Sequence, residues 1–181
     1  MRQIIYLTLV VIALIPLEET LPALADAKLG EPAPALVVDE LDGSAFDLSA
    51  ERGKVTIVSF WATWCLPCRK EMPTLDAFYR HYHAQGLEMI ALSADRPHDR
   101  SEVVKVMRSF NYPAAMLDDA KSDGFGNPSS LPQTYVVDGN GILKAKFTPD
   151  DNPLTEESLA ESVLPLLARH SPIDTQSPQA R

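Results

Sequence analysis

Val55-Thr56-Ile57-Val58-Ser59-Phe60-Trp61-Ala62-Thr63-Trp64-Cys65-Leu66-Pro67-Cys68 runs from an apolar, β-branched segment straight into the only two cysteines of this 181-residue chain. Val55 to Phe60 predicts a central strand covered on both faces, because neither alternate position is reserved for water. The strand delivers Cys65 and Cys68, three positions apart, to the first turn of a following helix. At that separation two sulfurs can bond without refolding the chain, and the loop they close is too short to add much stability. The spacing therefore points to a disulfide that opens and closes as a working part. The helix is predicted over about Leu66 to Gln85, with Leu75, Phe78, Tyr79 and Tyr82 at helical spacing, Gly86 as its stop and a kink at Pro73.

The segments on either side alternate strands and helices without an internal repeat, which makes the chain an α/β protein. Ala35 to Val38 and Ser44 to Leu48 flank Leu41-Asp42-Gly43, a tight-turn sequence that predicts an N-terminal β-hairpin ahead of the main fold. Leu87 to Ser93 predicts a second buried strand, Asp99 to Phe110 an amphipathic helix, and Tyr112 to Leu117 a short strand. Asp118 to Ser130 is polar and predicts a loop. Gln133 to Val137 and Ile142 to Phe147, joined by Asp138-Gly139-Asn140-Gly141, form the clearest hairpin pattern in the chain. Thr155 to Arg169 predicts the last helix.

The termini carry a different signal. Met1-Arg2 is a short positive start, Ile4 to Leu17 is almost wholly apolar, and Ala23-Leu24-Ala25 and Ala25-Asp26-Ala27 match the small-x-small pattern of signal-peptide cleavage. The expected organisation is a signal peptide over 1–27, one domain over 28–170 and a flexible, solvated tail over 171–181. The apolar run falls short of the roughly 20 residues of a spanning helix, so a cleaved signal is expected, with an uncleaved anchor as the alternative. Removing Arg2, Glu18, Glu19 and Asp26 leaves 15 basic and 22 acidic side chains, a formal charge of −7. Nucleic acid is thus not an expected partner. Export to the periplasm or beyond also places the thiol pair among oxidants, where a lone vicinal pair reads as catalytic rather than as a disulfide scaffold.

The run from Gly53-Lys54-Val55 through Trp64-Cys65-Leu66-Pro67-Cys68-Arg69-Lys70-Glu71-Met72-Pro73 resembles the exported thioredoxin-like proteins of the TlpA/ResA type. The hairpin with Asp42-Gly43, the later Leu131-Pro132-Gln133-Thr134 and the Asp138-Gly139-Asn140-Gly141 hairpin fall in the same order, so the resemblance covers about residues 30 to 170. It implies a thioredoxin fold, a central mixed β-sheet flanked by helices, with the N-terminal hairpin added. It also implies a thiol:disulfide oxidoreductase that reduces protein disulfides in cytochrome c maturation or related oxidase assembly. Such a protein needs no cofactor, since the cysteines carry the electrons. Oxidised proteins would be its substrates, a membrane protein its expected thiol donor, and a monomer its expected state. In thioredoxin folds the proline matching Pro132 is cis and faces the disulfide, so Leu131 and Pro132 would present backbone to an extended substrate.

Physical chemistry assigns the remaining roles. At a helix N-terminus, unpaired N–H groups and the positive end of the macrodipole favour thiolate, which makes Cys65 the expected attacking sulfur. Cys68, one turn on and more buried, would resolve the mixed disulfide. Leu66 brings no charge and Pro67 no N–H, so the Cys65 pKa should be depressed only moderately, towards the upper end of the roughly 3.5 to 7.5 range of activated thiols. A less stabilised thiolate means a less oxidising disulfide, hence a reductant. Trp64, Leu66, Pro67, Leu131 and Pro132 are the expected substrate-binding residues, with Trp61 in the core. Ser59 stands where ordinary thioredoxins carry a buried aspartate. Glu71, three residues after Cys68 on the same helix face, is the expected proton acceptor for Cys68, with a carboxyl raised by partial desolvation; a solvated surface charge beside Arg69 and Lys70 is the alternative.

Other readings are weaker. A zinc half-site lacks a second cysteine pair or matching histidines. His81 and His83, two apart, face different sides of a helix, and His98 and His170 stand alone in polar surroundings. Asp95, after Leu92-Ser93-Ala94, is placed either at the rim of the active site or as a simple turn former. A thiol peroxidase of the peroxiredoxin branch would need Pro and Thr where Val58 and Ala62 stand. A copper-handling thioredoxin fold would need soft ligands beyond the pair.

Overall fold

The computed structural model describes residues 27–170, with side chains up to Arg169. The expected signal peptide, apart from Ala27, and the expected tail lie outside the described residues. Seven strands form one sheet: β1 (Leu36–Glu40), β2 (Ala45–Asp47), β3 (Val55–Trp61), β4 (Leu87–Ser93), β5 (Ala114–Asp123), β6 (Gln133–Val137) and β7 (Leu143–Phe147). Their order across the sheet is β2-β1-β5-β4-β3-β6-β7. β3 pairs in parallel with β4 and antiparallel with β6, so the sheet is mixed about its most central strand.

Every residue of β3 is buried, as its mostly apolar, β-branched run predicts, Thr56 and Ser59 included. Alternate side chains feed two cores. Val55, Ile57 and Trp61 join Met89, Ala91 and Val136 beneath residues of three helices: α1 (Leu66–Tyr82), α2 (Arg100–Met107) and α3 (Glu156–His170). Val58 and Phe60 point the other way, to Ile90, Leu92, Tyr135 and Val137. That second face is closed by Leu36, Val38, Phe46 and Leu48, so the N-terminal hairpin is a structural cover for the sheet. Completely burying side chains of this size is worth about 1.5–3 kcal/mol each.

α1 continues on both sides of Pro73, followed by a 3₁₀ turn over His83–Gln85. Gly86 ends it with φ 94°, a left-handed conformation that a Cβ disfavours. The β6–β7 connection is the expected one. Asp138 accepts the amides of Asn140 (2.9 Å) and Ile142 (3.0 Å), and Gly141 takes φ 74°.

Two expectations are corrected. α2 is shorter than predicted and is preceded by a 3₁₀ turn, Pro97–Asp99. β5 is longer, because Asp118 to Asp123 continues the strand rather than forming a loop. β5 first runs parallel to β4 at Ala114–Met116, then pairs antiparallel with β1 through Ala120, Ser122 and Asp123. The polar half is held by backbone bonds to β1 and by the Lys121–Asp39 ion pair. A strand secured in that way needs no apolar alternation.

Candidate active site

Cys65 is the N-cap of α1, with extended backbone (φ −82°, ψ 99°). Its carbonyl accepts the first helical bond, from the Arg69 amide at 3.2 Å, while its sulfur accepts the Cys68 amide at 3.2 Å. A thiol thus fills the place of the usual Ser or Asp cap and satisfies one of the orphan donors of the first turn. Pro67 sits in that first turn, where a missing N–H costs nothing. Cys65 and Cys68 are joined as a disulfide, with Cα atoms 5.3 Å apart.

Both sulfurs are covered. Cys65 is 5% exposed and Cys68 2%, so the expected order of burial holds but the difference is small. The residues beside Cys65 are the opposite: Trp64 is 69% and Leu66 67% exposed, two of only four large apolar side chains left open among the described residues. Pro67 is also exposed, whereas Trp61 is buried in the core. Trp64, Leu66 and Pro67 thus form an exposed apolar rim around the two buried cysteines.

Leu131–Pro132 is a cis peptide bond, with Pro132 buried and Leu131 half-buried. Leu131 and Trp64 line one groove of about 300 Å³ together with Ala94 and the segment Asn127 to Ser130. The fold therefore brings the residue next to Cys65 and the residue before the cis proline onto the same cleft, from opposite ends of the sequence.

Glu71 is half-buried, one turn after Cys68, and burial pushes its carboxyl from 4.5 up to about 7. No hydrogen bond or ion pair engages it among the described residues, so nothing offsets the desolvation. Ser59 is buried and shares a hydrogen bond of 2.9 Å with the Thr134 hydroxyl, a neutral pair under the sheet.

The sequence leaves Asp95 between an active-site rim and a turn former, and gives Thr63 no role. Asp95 is 3% exposed, and its carboxylate accepts the Thr63 amide (2.8 Å), the Thr63 hydroxyl (2.6 Å) and the Ser93 hydroxyl (2.6 Å). It ties the end of β4 to the connection between β3 and α1. The signal that pointed there is its position just past the carboxyl end of a parallel strand, the end where α/β sheets build sites. The groove wall from Asn127 to Ser130 carried no such signal. His81, His83 and His98 are exposed, and no group of three or more metal-ligating side chains occurs among the described residues. Val58 and Ala62 are fully buried and offer no hydroxyl to a peroxide.

Comparison with known proteins agrees with this chemistry. The AhpC/TSA family matches residues 29–146. The thiol-disulfide oxidoreductase ResA of Bacillus cereus is 30% identical over 138 residues, covering 76% of this chain and 80% of that protein. Among solved structures, a thiol:disulfide interchange protein of the thioredoxin family from Chlorobium tepidum superposes with a TM-score of 0.62 at 23% identity, covering 79% of this chain and 99% of that one. A secreted thiol-disulfide isomerase from Corynebacterium glutamicum superposes with a TM-score of 0.60 at 24% identity, covering 75% of this chain and 84% of that one. These two likenesses establish the fold: a thioredoxin-like α/β sheet with an added hairpin.

Proposed function

Because this chain belongs to the AhpC/TSA family and is a thiol-disulfide oxidoreductase of the TlpA/ResA type, we propose that it is an exported reductant of protein disulfides, acting through Cys65. The observation that carries the reading is the Cys65 sulfur capping α1 on the Cys68 amide, between exposed Trp64 and Leu66.

In the reduced protein the Cys65 thiolate attacks one sulfur of a client disulfide. A bond forms between Cys65 and that sulfur, the client S–S bond breaks, and the other client sulfur leaves as a thiolate. Cys68 then loses its proton to the Glu71 carboxylate and attacks Cys65. The second client sulfur leaves, and Cys65–Cys68 closes to the disulfide described above. The pair has given two electrons to the client and must regain them from a dithiol donor, which for an exported protein is a membrane protein that carries electrons outward. Trp64, Leu66 and Pro67 contact the client on one side, and Leu131 and Pro132 present backbone on the other.

What surrounds Cys65 supports the direction. The first turn offers a peptide amide but no acidic or basic side chain at Leu66, Pro67 or Cys68, so thiolate stabilisation is moderate. Export is supported by the Met1 to Ala27 pattern. Cytochrome c maturation, or a related oxidase assembly, is the setting that this reading favours.

The test is equilibration with glutathione followed by trapping. The Cys65–Cys68 couple is expected to lie below the glutathione couple, and Cys68→Ser should accumulate client proteins linked through Cys65 in envelope extracts. A potential well above glutathione would make the protein an oxidant, and adducts on Cys68 in a Cys65→Ser variant alone would reverse the roles of the two sulfurs.

A further inference from the structure

Asp95 lies outside the dithiol chemistry, yet its arrangement is costly. Asp95 is 3% exposed, and a buried carboxylate pays a desolvation penalty that neutral hydrogen bonds offset only when several converge. Three donors do converge here, and no Lys or Arg pairs with it among the described residues. A turn former would bind amides just ahead of it in the chain. Asp95 instead binds Thr63, 32 residues earlier, with both of its oxygens.

What it holds is the five-residue path from the end of β3 to the cap of α1. The Trp61 carbonyl accepts the Ala94 amide at 2.8 Å, Thr63 is forked onto Asp95, and the Cys65 amide donates to the Ala62 carbonyl at 3.1 Å. Thr63 sits directly before Trp64, which is 69% exposed, so the backbone at Thr63 does much to set where the indole lies. Ala94, directly before Asp95, lines the same groove as Trp64 and Leu131. The carboxylate is thus the point at which the reactive cap and the client groove are fixed to one strand end.

We propose that Asp95 is a positioning residue for disulfide exchange: by holding the amide and hydroxyl of Thr63 it keeps the Cys65 sulfur on the Cys68 amide and Trp64 at the edge of the Leu131 groove. This rests on Cys65 being the attacking thiolate. Thr63→Val is the informative variant, because it deletes one donor while leaving the Asp95 charge and the Thr63 amide contact in place, and Thr63→Ser restores the hydroxyl. Asp95→Ala removes the whole clamp. Three quantities are measured: the pH dependence of Cys65 alkylation, the potential against glutathione, and kcat/KM for reduction of insulin disulfides.

Thr63→Val is expected to raise the pH midpoint of Cys65 alkylation and to slow insulin reduction several-fold, with Thr63→Ser returning both to the wild-type values. Asp95→Ala should lose at least about tenfold in kcat/KM, within the 10²-fold that a misplacement of about 1 Å can cost. If Asp95→Ala does not fold, the contrast between Thr63→Val and Thr63→Ser decides alone. Wild-type midpoint, potential and turnover in Thr63→Val, with only a lower melting temperature, would reduce Asp95 to a structural brace and overturn the proposal. An unmodified wild-type protein in which Cys65 alkylates no faster than Cys68 also overturns it, by removing the thiolate to be positioned, and is told apart because it needs no variant.

Discussion

Glu71 owes its raised carboxyl to burial alone, which gives it two consequences of opposite use. Below about pH 7 it is mostly protonated and cannot accept the Cys68 proton; above, it can. The second exchange step, followed by single-turnover release of client from Cys65, should therefore speed up as pH rises through about 7 in the wild type. Glu71→Gln is expected to lose that rise and to slow the step by roughly 10²-fold, the lower end of what a placed general base supplies. An unchanged pH profile would leave Glu71 a spectator. For stability the sign runs the other way. The folded carboxyl holds its proton more tightly than the unfolded one, so between pH 4.5 and about 7 folding binds a proton, and stability falls as pH rises through that window. Urea midpoints measured across it should decline in the wild type and stay flatter in Glu71→Gln.

α1 carries the cysteines at one end and is moored along its length by Asp76. That carboxylate accepts the Asn111 amide at 2.6 Å and the Asn111 side chain at 3.1 Å, fixing the helix to the turn after α2. Burial alone would raise the Asp76 carboxyl, but the Asn111 donors and Arg80 outweigh it and hold it below the usual range. Its contribution is present above the unfolded value near 3.8 and is lost as pH falls towards the lower folded one. Asp76→Ala should cost about 1–3 kcal/mol at neutral pH by leaving the Asn111 amide unpaired, read from urea unfolding. A wild-type midpoint would show that water replaces the contact freely. The ends of α1 were legible in the sequence because their chemistry is local: the cysteine spacing and Pro67 at the start, Gly86 at the stop. β3 was legible because burial on both faces writes itself as a mostly apolar, β-branched run with no alternation. The second half of β5 was not, since Ala120 and Ser122 are held through backbone bonds to β1 and leave no side-chain pattern. Nor was the clamp of Asp95 on Thr63, whose two halves are read 32 residues apart and meet only once β3 and β4 lie side by side. The cleft between Trp64 and Leu131 has the same origin, for sequence marks each residue but not their common wall.

Folding and redox poise are two sides of one cycle in this molecule, because the pair can be oxidised or reduced in both the folded and the unfolded chain. A strong oxidant stabilises its reduced fold and so makes its disulfide easy to break; a reductant does not. Here the reduced fold gains the Cys68 amide and the helix N-terminus for its thiolate, but it adds that charge to a chain that is already net negative and carries a half-buried carboxyl one turn after Cys68. Bonding residues only three apart restrains the unfolded chain little, which adds at most a small bias towards the oxidised form. The oxidised protein is therefore expected to unfold in urea at the same midpoint as the reduced one or slightly above it. Since about 30 mV corresponds to about 1.4 kcal/mol for this two-electron couple, a reduced form more stable by roughly 3 kcal/mol or more would place the disulfide some 60 mV to the oxidising side of an unfolded pair. That outcome would reverse the direction of electron flow, while equal or higher oxidised stability ties the whole fold, and not merely the dipeptide between the cysteines, to the role of reductant.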